Sequence, residues 1–409
     1  MCGIAGFWSE RLQAPRDLIT RMVQRLHHRG PDSSGLWLAP AGGPVLGHAR
    51  LAIVDLSEHG HQPMHSADGR YTLCYNGEVY NHLALRQALP AQDWRGHSDT
   101  ETLLAGIVHW GVERTLQQAV GMFAIALWDA QERCLWLARD RLGEKPLYIG
   151  QCDGGIAFAS ELKALLPVPG LDLRTDPRAV DLYLQLGQVP APLSIHQGVR
   201  KLMPGELLRL AAPQAEPHRQ RYWQLPLDRA ELDERDDAAA LAEFERLLQQ
   251  SVAGQRLADV PLGTFLSGGV DSSLVTAVLQ EGSTRPVRSF SIGFGDSEHD
   301  ESAQAAAVAR HLGTEHTELQ VTAQDALDLV PTLADTWNEP FADASQIPTL
   351  LLSRLTRQHV TVALSGDAGD ELFGGYNRHR IAARWWPRLQ RTPLPLRRGL
   401  AAALQQIGR

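Results

Sequence analysis

The chain is poor in cysteine, carries no excess of positive charge and has no long apolar run. Four cysteines in 409 residues, at positions 2, 74, 134 and 152, form neither a disulfide framework nor a metal-ligand spacing. A formal net charge of -8 argues against a general nucleic-acid surface, which needs clustered Lys and Arg. No stretch is long and apolar enough to span a bilayer. The opening Met1-Cys2-Gly3-Ile4-Ala5-Gly6-Phe7 lacks the basic flank and apolar core of a secretory signal. No nucleic-acid or membrane partner is expected, and the cytoplasm is the expected compartment. Internal repeats and low-complexity segments are also missing.

What is present describes a globular protein: 44% hydrophobic and 21% charged residues. The length exceeds one ordinary core and predicts two domains. Up to about residue 210, short apolar or alternating runs (Ile4–Trp8, Val45–Val54, Tyr71–Tyr75, Phe123–Asp129, Leu135–Ala138, Ile156–Ala159) are separated by turn residues. Two helical patterns interrupt them, near Leu18–His28 and Glu101–Trp110. This predicts a mainly antiparallel sheet with packed helices. After a polar, Pro- and Gln-containing stretch the pattern changes to strands alternating with helices, the mark of a parallel sheet covered on both faces. The expected division is a first domain over 2–212, a linker over 213–235 and a second domain over 236–409.

Within the second part, a predicted strand at Pro261–Leu266 runs into Ser267-Gly268-Gly269-Val270-Asp271-Ser272-Ser273 and then a helix. The glycines let backbone N–H groups converge on an anion, and the helix adds its positive end and serine donors. Asp271 would repel a bare phosphate, so its presence implies an intervening Mg²⁺. The loop lacks the Gly-Lys-Ser/Thr of a Walker loop. It resembles the loop of enzymes that cleave ATP between the α and β phosphates, the alternative being an ordinary Ser/Gly turn. A second predicted strand, His359–Leu364, ends in Ser365-Gly366-Asp367-Ala368-Gly369-Asp370-Glu371. Its crowded carboxylates repel one another unless a cation or proton is shared, and Asp370 is placed opposite Asp271.

At the other end, removal of Met1 would leave Cys2 with a thiol and a free α-amine. That amine titrates near neutral pH and can act as base to its own side chain, whereas the alternative is a small residue opening a strand. Arg50 offers a fork for an α-carboxylate, Asp99 a partner for an α-ammonium, and Asn76-Gly77 an oxyanion site. Asn-Gly is equally a good hairpin turn.

These residues resemble the glutamine-hydrolysing asparagine synthetases over nearly the whole chain. The likeness includes Cys2–Gly6, His28–Asp32, Arg50–Asp55, Asn76–Glu78, Ser98–Glu101, Arg139–Gly143, Pro204-Gly205, Ser267–Ser273, Asn338–Pro340 and Ser365–Tyr376. The resemblance implies an αββα sandwich of the N-terminal nucleophile type, a class II glutaminase, followed by an α/β ATP-pyrophosphatase domain. It implies that Cys2 is the nucleophile and that Asn76 and Gly77 form the oxyanion hole. Arg50, Leu51, Ile53, Glu78 and Asp99 would complete the glutamine site with them.

In the second domain, Leu266, Ile292, Ser365 and Gly366 would frame ATP beside Ser267, Gly268, Gly269, Ser272 and Ser273, with Asp271 and Asp370 on Mg²⁺. Aspartate would be activated as β-aspartyl-AMP and converted to asparagine by ammonia, which makes the chain a carbon–nitrogen ligase. An alternative keeps both half-reactions with a different carboxylate acceptor. Asp367 stands where many relatives carry Glu, at a position tied to the acyl-adenylate. Relatives continue past Arg409, so a C-terminally incomplete synthetase domain is expected. Dimers are usual among relatives, which makes a homodimer an expectation.

Overall fold

A computed structural model describes residues 1–40, 42–226, 236–295 and 300–407. Residues 227–235 of the expected linker, and 408–409 at the end of the second expected domain, lie outside the described residues. The chain divides into two compact units. One comprises Met1–Pro261 with Thr322–Val362, the other Leu262–Val321 with Ala363–Arg409.

The first unit is built on two six-stranded antiparallel sheets. One has the spatial order Val199–Lys201, Tyr148–Cys152, Gly155–Ala159, Gly3–Ser9, Val45–Arg50, Ser33–Leu38. The other runs His218–Arg221, Glu206–Leu210, Cys134–Arg139, Gly121–Asp129, Tyr71–Val79, Met64–His65. Strand side chains alternate between faces, and here both faces are buried. In Gly121–Asp129, Phe123, Ile125 and Leu127 join the core beneath the helix Asp99–Trp110, while Ala124, Ala126 and Trp128 join the core between the sheets. Ile4 and Trp8 meet that inter-sheet core, and Ala5 and Phe7 face the helix Pro15–Gln24. Trp8 and Trp128 close it edge to face, with ring centroids 5.1 Å apart. The result is helix, sheet, sheet, helix, the predicted αββα sandwich.

The short helices His82–Ala88, Val112–Gln118, Leu162–Leu165 and Pro177–Leu186 are additional to the two helical patterns read from the first half of the sequence. Three of them last two turns or less, too brief for a 3.6-residue period to register. Asn76 and Gly77 do not form a hairpin. They lie inside the strand Tyr71–Val79, opposite Ala124 and Phe123. A Cβ on Gly77 would come within 2.6 Å of the Phe123 Cα, so a glycine there permits close strand approach.

The segment Thr322–Val362 is fastened within this unit by Asn338 and Glu339. Asn338 accepts the Lys163 amide at 3.0 Å. Glu339 accepts the Ile195 amide at 2.8 Å and the Tyr148 hydroxyl at 3.0 Å, and pairs with Lys201 at 2.7 Å.

The second unit holds a sheet ordered Glu315–Gln320, Arg288–Gly293, Leu262–Phe265, Val362–Leu364. Leu262–Phe265 and Arg288–Gly293 are parallel, as are Arg288–Gly293 and Glu315–Gln320. The helix after the glycines spans Val270–Glu281 and so begins inside the run Ser267–Ser273 rather than after it. Asp271 therefore sits in its first turn, where the helix dipole favours a carboxylate.

Candidate active site

In the first unit, strand ends and one helix start converge on a cleft. Cys2 precedes the strand Gly3–Ser9, Arg50 ends Val45–Arg50, and Leu51 and Ile53 follow it. Asn76, Gly77 and Glu78 come from Tyr71–Val79, and Asp99 opens the helix capped by Ser98. All eight line the same cleft.

The Cys2 thiol lies 3.5 Å from the Leu51 carbonyl and 3.4 Å from the Leu51 N–H. Burial raises its pKa, and the Leu51 amide partly opposes that rise. Desolvation pulls the neighbouring Met1 α-amine down to about 6, so it is largely an uncharged base at neutral pH. Arg29 donates to the Cys2 carbonyl at 2.8 Å and pairs with Glu161 at 2.8 Å.

Asn76 is fully buried, and neither its Nδ2 nor its Oδ1 has a partner. Buried amides are normally satisfied, so an unpaired one lining a cleft is a donor waiting for a ligand. The Arg50 guanidinium is held by the backbone carbonyls of Ser57, at 2.9 Å, and Asp55. The rest of its fork remains for a carboxylate. Asp99 accepts the Tyr75 hydroxyl at 2.6 Å and the Val79 amide at 2.9 Å. Burial, reinforced by Asp99, pushes the Glu78 pKa up to about 7. This set can grip an amino acid by both charged ends and present its side-chain carbonyl to a thiol and to amide donors.

Sequence reasoning did not single out Gly60, Gln62 or Tyr75, which also line the cleft. A Cβ on Gly60 would lie 2.9 Å from the Arg50 guanidinium carbon and closer still to Nη2. Gln62 accepts the Tyr75 amide at 2.7 Å, which steadies the strand next to Asn76. The only local signal was the position of Tyr75 beside Asn76-Gly77.

In the second unit, the loops predicted to hold the nucleotide pack against each other. Gly268 has a φ of +81°, a conformation that favours glycine. Its carbonyl accepts Gln304 Nε2 at 2.8 Å. Ser267 and Ser272 hydroxyls lie 2.9 Å apart, and Gly269 N–H donates to Ser267 Oγ at 3.2 Å. The Ser273 hydroxyl is buried without a partner. A Cβ on Gly366 would stand 2.6 Å from the Ser272 amide nitrogen, and one on Gly369 2.6 Å from Asp271 Oδ2. Asp271 is thereby placed against the residue that precedes Asp370. Ile292 lies on the adjacent strand Arg288–Gly293. The Leu266 side chain is buried with Ala305 and Ala309. Ser365 donates to the exposed Asp367 carboxylate at 2.9 Å.

Among the described residues, no group of three or more His, Cys, Asp or Glu side chains could hold a metal ion, and no helix is long and apolar enough to cross a membrane.

Comparison with known proteins agrees with both halves. Residues 1–223 match the glutamine amidotransferase domain family and residues 243–408 the asparagine synthase family. A Mycobacterium tuberculosis protein with a provisional glutamine-hydrolysing asparagine synthetase name is 38% identical, over 98% of this chain and 64% of its own length. Asparagine synthetase (glutamine-hydrolysing) 1 of Bacillus subtilis is 34% identical, over 93% of this chain and 60% of its own. Amidase chyE of Penicillium rubens is 30% identical, over 100% of this chain and 64% of its own. The chain thus spans less than two thirds of the length of these relatives. With both family matches in order along it, the chain belongs to the glutamine-hydrolysing asparagine synthetase family.

Proposed function

We propose that this chain carries an ATP-dependent amidotransferase that releases ammonia from glutamine and transfers it to aspartate, making asparagine, AMP and pyrophosphate. The observation that carries this reading is the buried, unpartnered Asn76 carboxamide lining the same cleft as the Cys2 thiol. Once Met1 is removed, the α-amine of Cys2 takes the thiol proton, and the sulfur attacks the glutamine amide carbon. Asn76 Nδ2 and the Gly77 N–H stabilise the oxyanion. The amine returns the proton to the leaving nitrogen, ammonia departs, and water hydrolyses the thioester to glutamate. Arg50 and Asp99 hold the substrate's carboxylate and ammonium ends.

In the second unit, Gly268, Gly269 and the first turn of Val270–Glu281 would cradle the ATP phosphates, with the Ser273 hydroxyl as a further donor. Leu266, Ile292, Ser365 and Gly366 would frame the nucleotide. Asp271 and Asp370 fit a Mg²⁺ that takes its remaining ligands from phosphate and water. Such an ion would neutralise charge on the departing pyrophosphate. The aspartate β-carboxylate attacks the α-phosphorus, and ammonia then displaces AMP from the β-aspartyl-AMP. A homodimer in the cytoplasm is the proposed working form.

The test supplies ATP, Mg²⁺, aspartate and amide-¹⁵N glutamine and follows products by mass spectrometry. Labelled asparagine with one AMP per amide supports the reading, and glutamate release without AMP or asparagine removes aspartate as acceptor.

A further inference from the structure

The loop that aims Arg50 is held by a residue far away in the chain. After Arg50 the backbone passes Leu51 and Ile53 and reaches Asp55, a non-glycine residue with a φ of +60°. A side-chain-bearing residue keeps that conformation only where its surroundings over-determine it. The Asp55 carbonyl is one of the two that grip the Arg50 guanidinium, so rotation of the Asp55 peptide would release Arg50.

Two sets of contacts fix that peptide. The buried Asp55 carboxylate accepts the His97 amide at 3.0 Å and the Ser57 amide at 3.1 Å. It nests against Gly96, where a Cβ would collide with it. The second set comes from Asp259. Its Oδ2 accepts the Asp55 amide at 2.7 Å and the ring Nε2 of His97 at 2.6 Å, while its own amide donates to the Ile53 carbonyl at 2.9 Å. Asp259 thus joins Asp55 to His97 through its carboxylate and holds Ile53 through its backbone amide.

We propose that Asp259 is a positioning residue of the glutamine pocket: it locks the Asp55 peptide so that its carbonyl aims the Arg50 guanidinium at the substrate's α-carboxylate. This rests on the glutaminase reading above. Asp259 does not line the cleft and acts only through Asp55. Its removal should therefore weaken recognition of the amino-acid end of glutamine and leave the reactivity of the Cys2 thiol alone.

Two reagents separate these effects on the full chain, with labelling of Cys2 followed by mass spectrometry. The glutamine analogue 6-diazo-5-oxo-L-norleucine carries the α-carboxylate that Arg50 would hold, and iodoacetamide carries none. Asp259→Ala is expected to raise the half-saturating concentration of the analogue about tenfold, the size of one lost charge-assisted hydrogen bond. Its limiting labelling rate and the iodoacetamide rate should be unchanged. Asp259→Asn keeps an oxygen acceptor without the charge, so a smaller rise is expected. It decides the matter if the alanine variant has no folded melting transition. Unchanged half-saturation in the folded variants, or equal slowing with both reagents, overturns the proposal. If the unaltered chain reacts with iodoacetamide at Cys2 but never with the analogue, the glutaminase reading itself has failed.

Discussion

Asp271 occupies the space that a side chain on Gly369 would need: a Cβ there would stand 2.6 Å from Asp271 Oδ2. The missing side chain lets the two acid-bearing loops nest and sets Asp271 beside the residue preceding Asp370. Gly369→Ala should push the Asp271 carboxylate aside and lower the rate of AMP formation by about tenfold or more. Glutamine hydrolysis should be unaffected. Separate assays of AMP and glutamate check both halves, and a parallel loss would mean the unit had unfolded.

Cys2→Ala should abolish glutamate release, because no other group in the cleft is a thiol. Ammonia-dependent product formation should persist. Comparing glutamine and ammonium chloride as nitrogen sources checks this, and equal loss with both would sink the two-site reading.

Asn76→Ala tests the unpartnered carboxamide. Losing one oxyanion donor typically lowers kcat by about 10²–10³, and KM should change little. Since the Asn76 side-chain carboxamide has no hydrogen-bond partner within the protein, the melting temperature should stay within about 2 °C. Steady-state kinetics beside a thermal melt checks both. A large fall in melting temperature would show a structural role instead.

Gly60→Ala should displace the Arg50 guanidinium, whose Nη2 leaves no room for a methyl group. The expected result is a KM for glutamine raised by about tenfold with kcat nearly retained. Initial-rate measurements across glutamine concentration distinguish this from general damage.

Glu161 gives a pH signature. Burial alone would raise its pKa, but the His28 hydrogen bond and the Arg29 charge outweigh that and hold it at about 2 against a usual 4.5. A carboxylate with a depressed folded pKa stabilises the protein above the unfolded value, and that stability is lost as pH falls through the folded value. Glu161→Gln should therefore be destabilised relative to the unaltered chain above about pH 5, with the gap closing towards about pH 2. Denaturant unfolding at several pH values measures it.

Strands such as Gly121–Asp129 were readable because they carry a compact run of buried apolar residues, whereas His218–Arg221 is polar with no buried residue and was not read. Asn76-Gly77 was ambiguous for a physical reason. The dipeptide suits a tight turn, and only its pairing with Ala124 and Phe123 keeps it extended. Residues 323–337 form not one continuous helix but Ala323–Leu329, a 3₁₀ turn at Val330–Thr332 and Leu333–Trp337. Pro331 cannot donate to a continuous helix. Gly60, Gln62 and Asp259 were not foreseen, since nothing in their neighbours' spacing reports a contact with Arg50, Tyr75 or Asp55.

The sequence by itself determined where the chemical groups stand along the chain. An amino-terminal cysteine and a glycine loop between strand and helix are local features, set by backbone freedom and side-chain type. Only the tertiary structure decided which of them meet. Cys2 reaches Leu51 because Gly3–Ser9 and Val45–Arg50 pair with Gly3 opposite Ala49. Asp271 reaches Gly369 because Leu262–Phe265 and Val362–Leu364 are neighbours in one sheet. Strand register and layer packing join residues far apart in the chain, and local preference carries no record of that pairing.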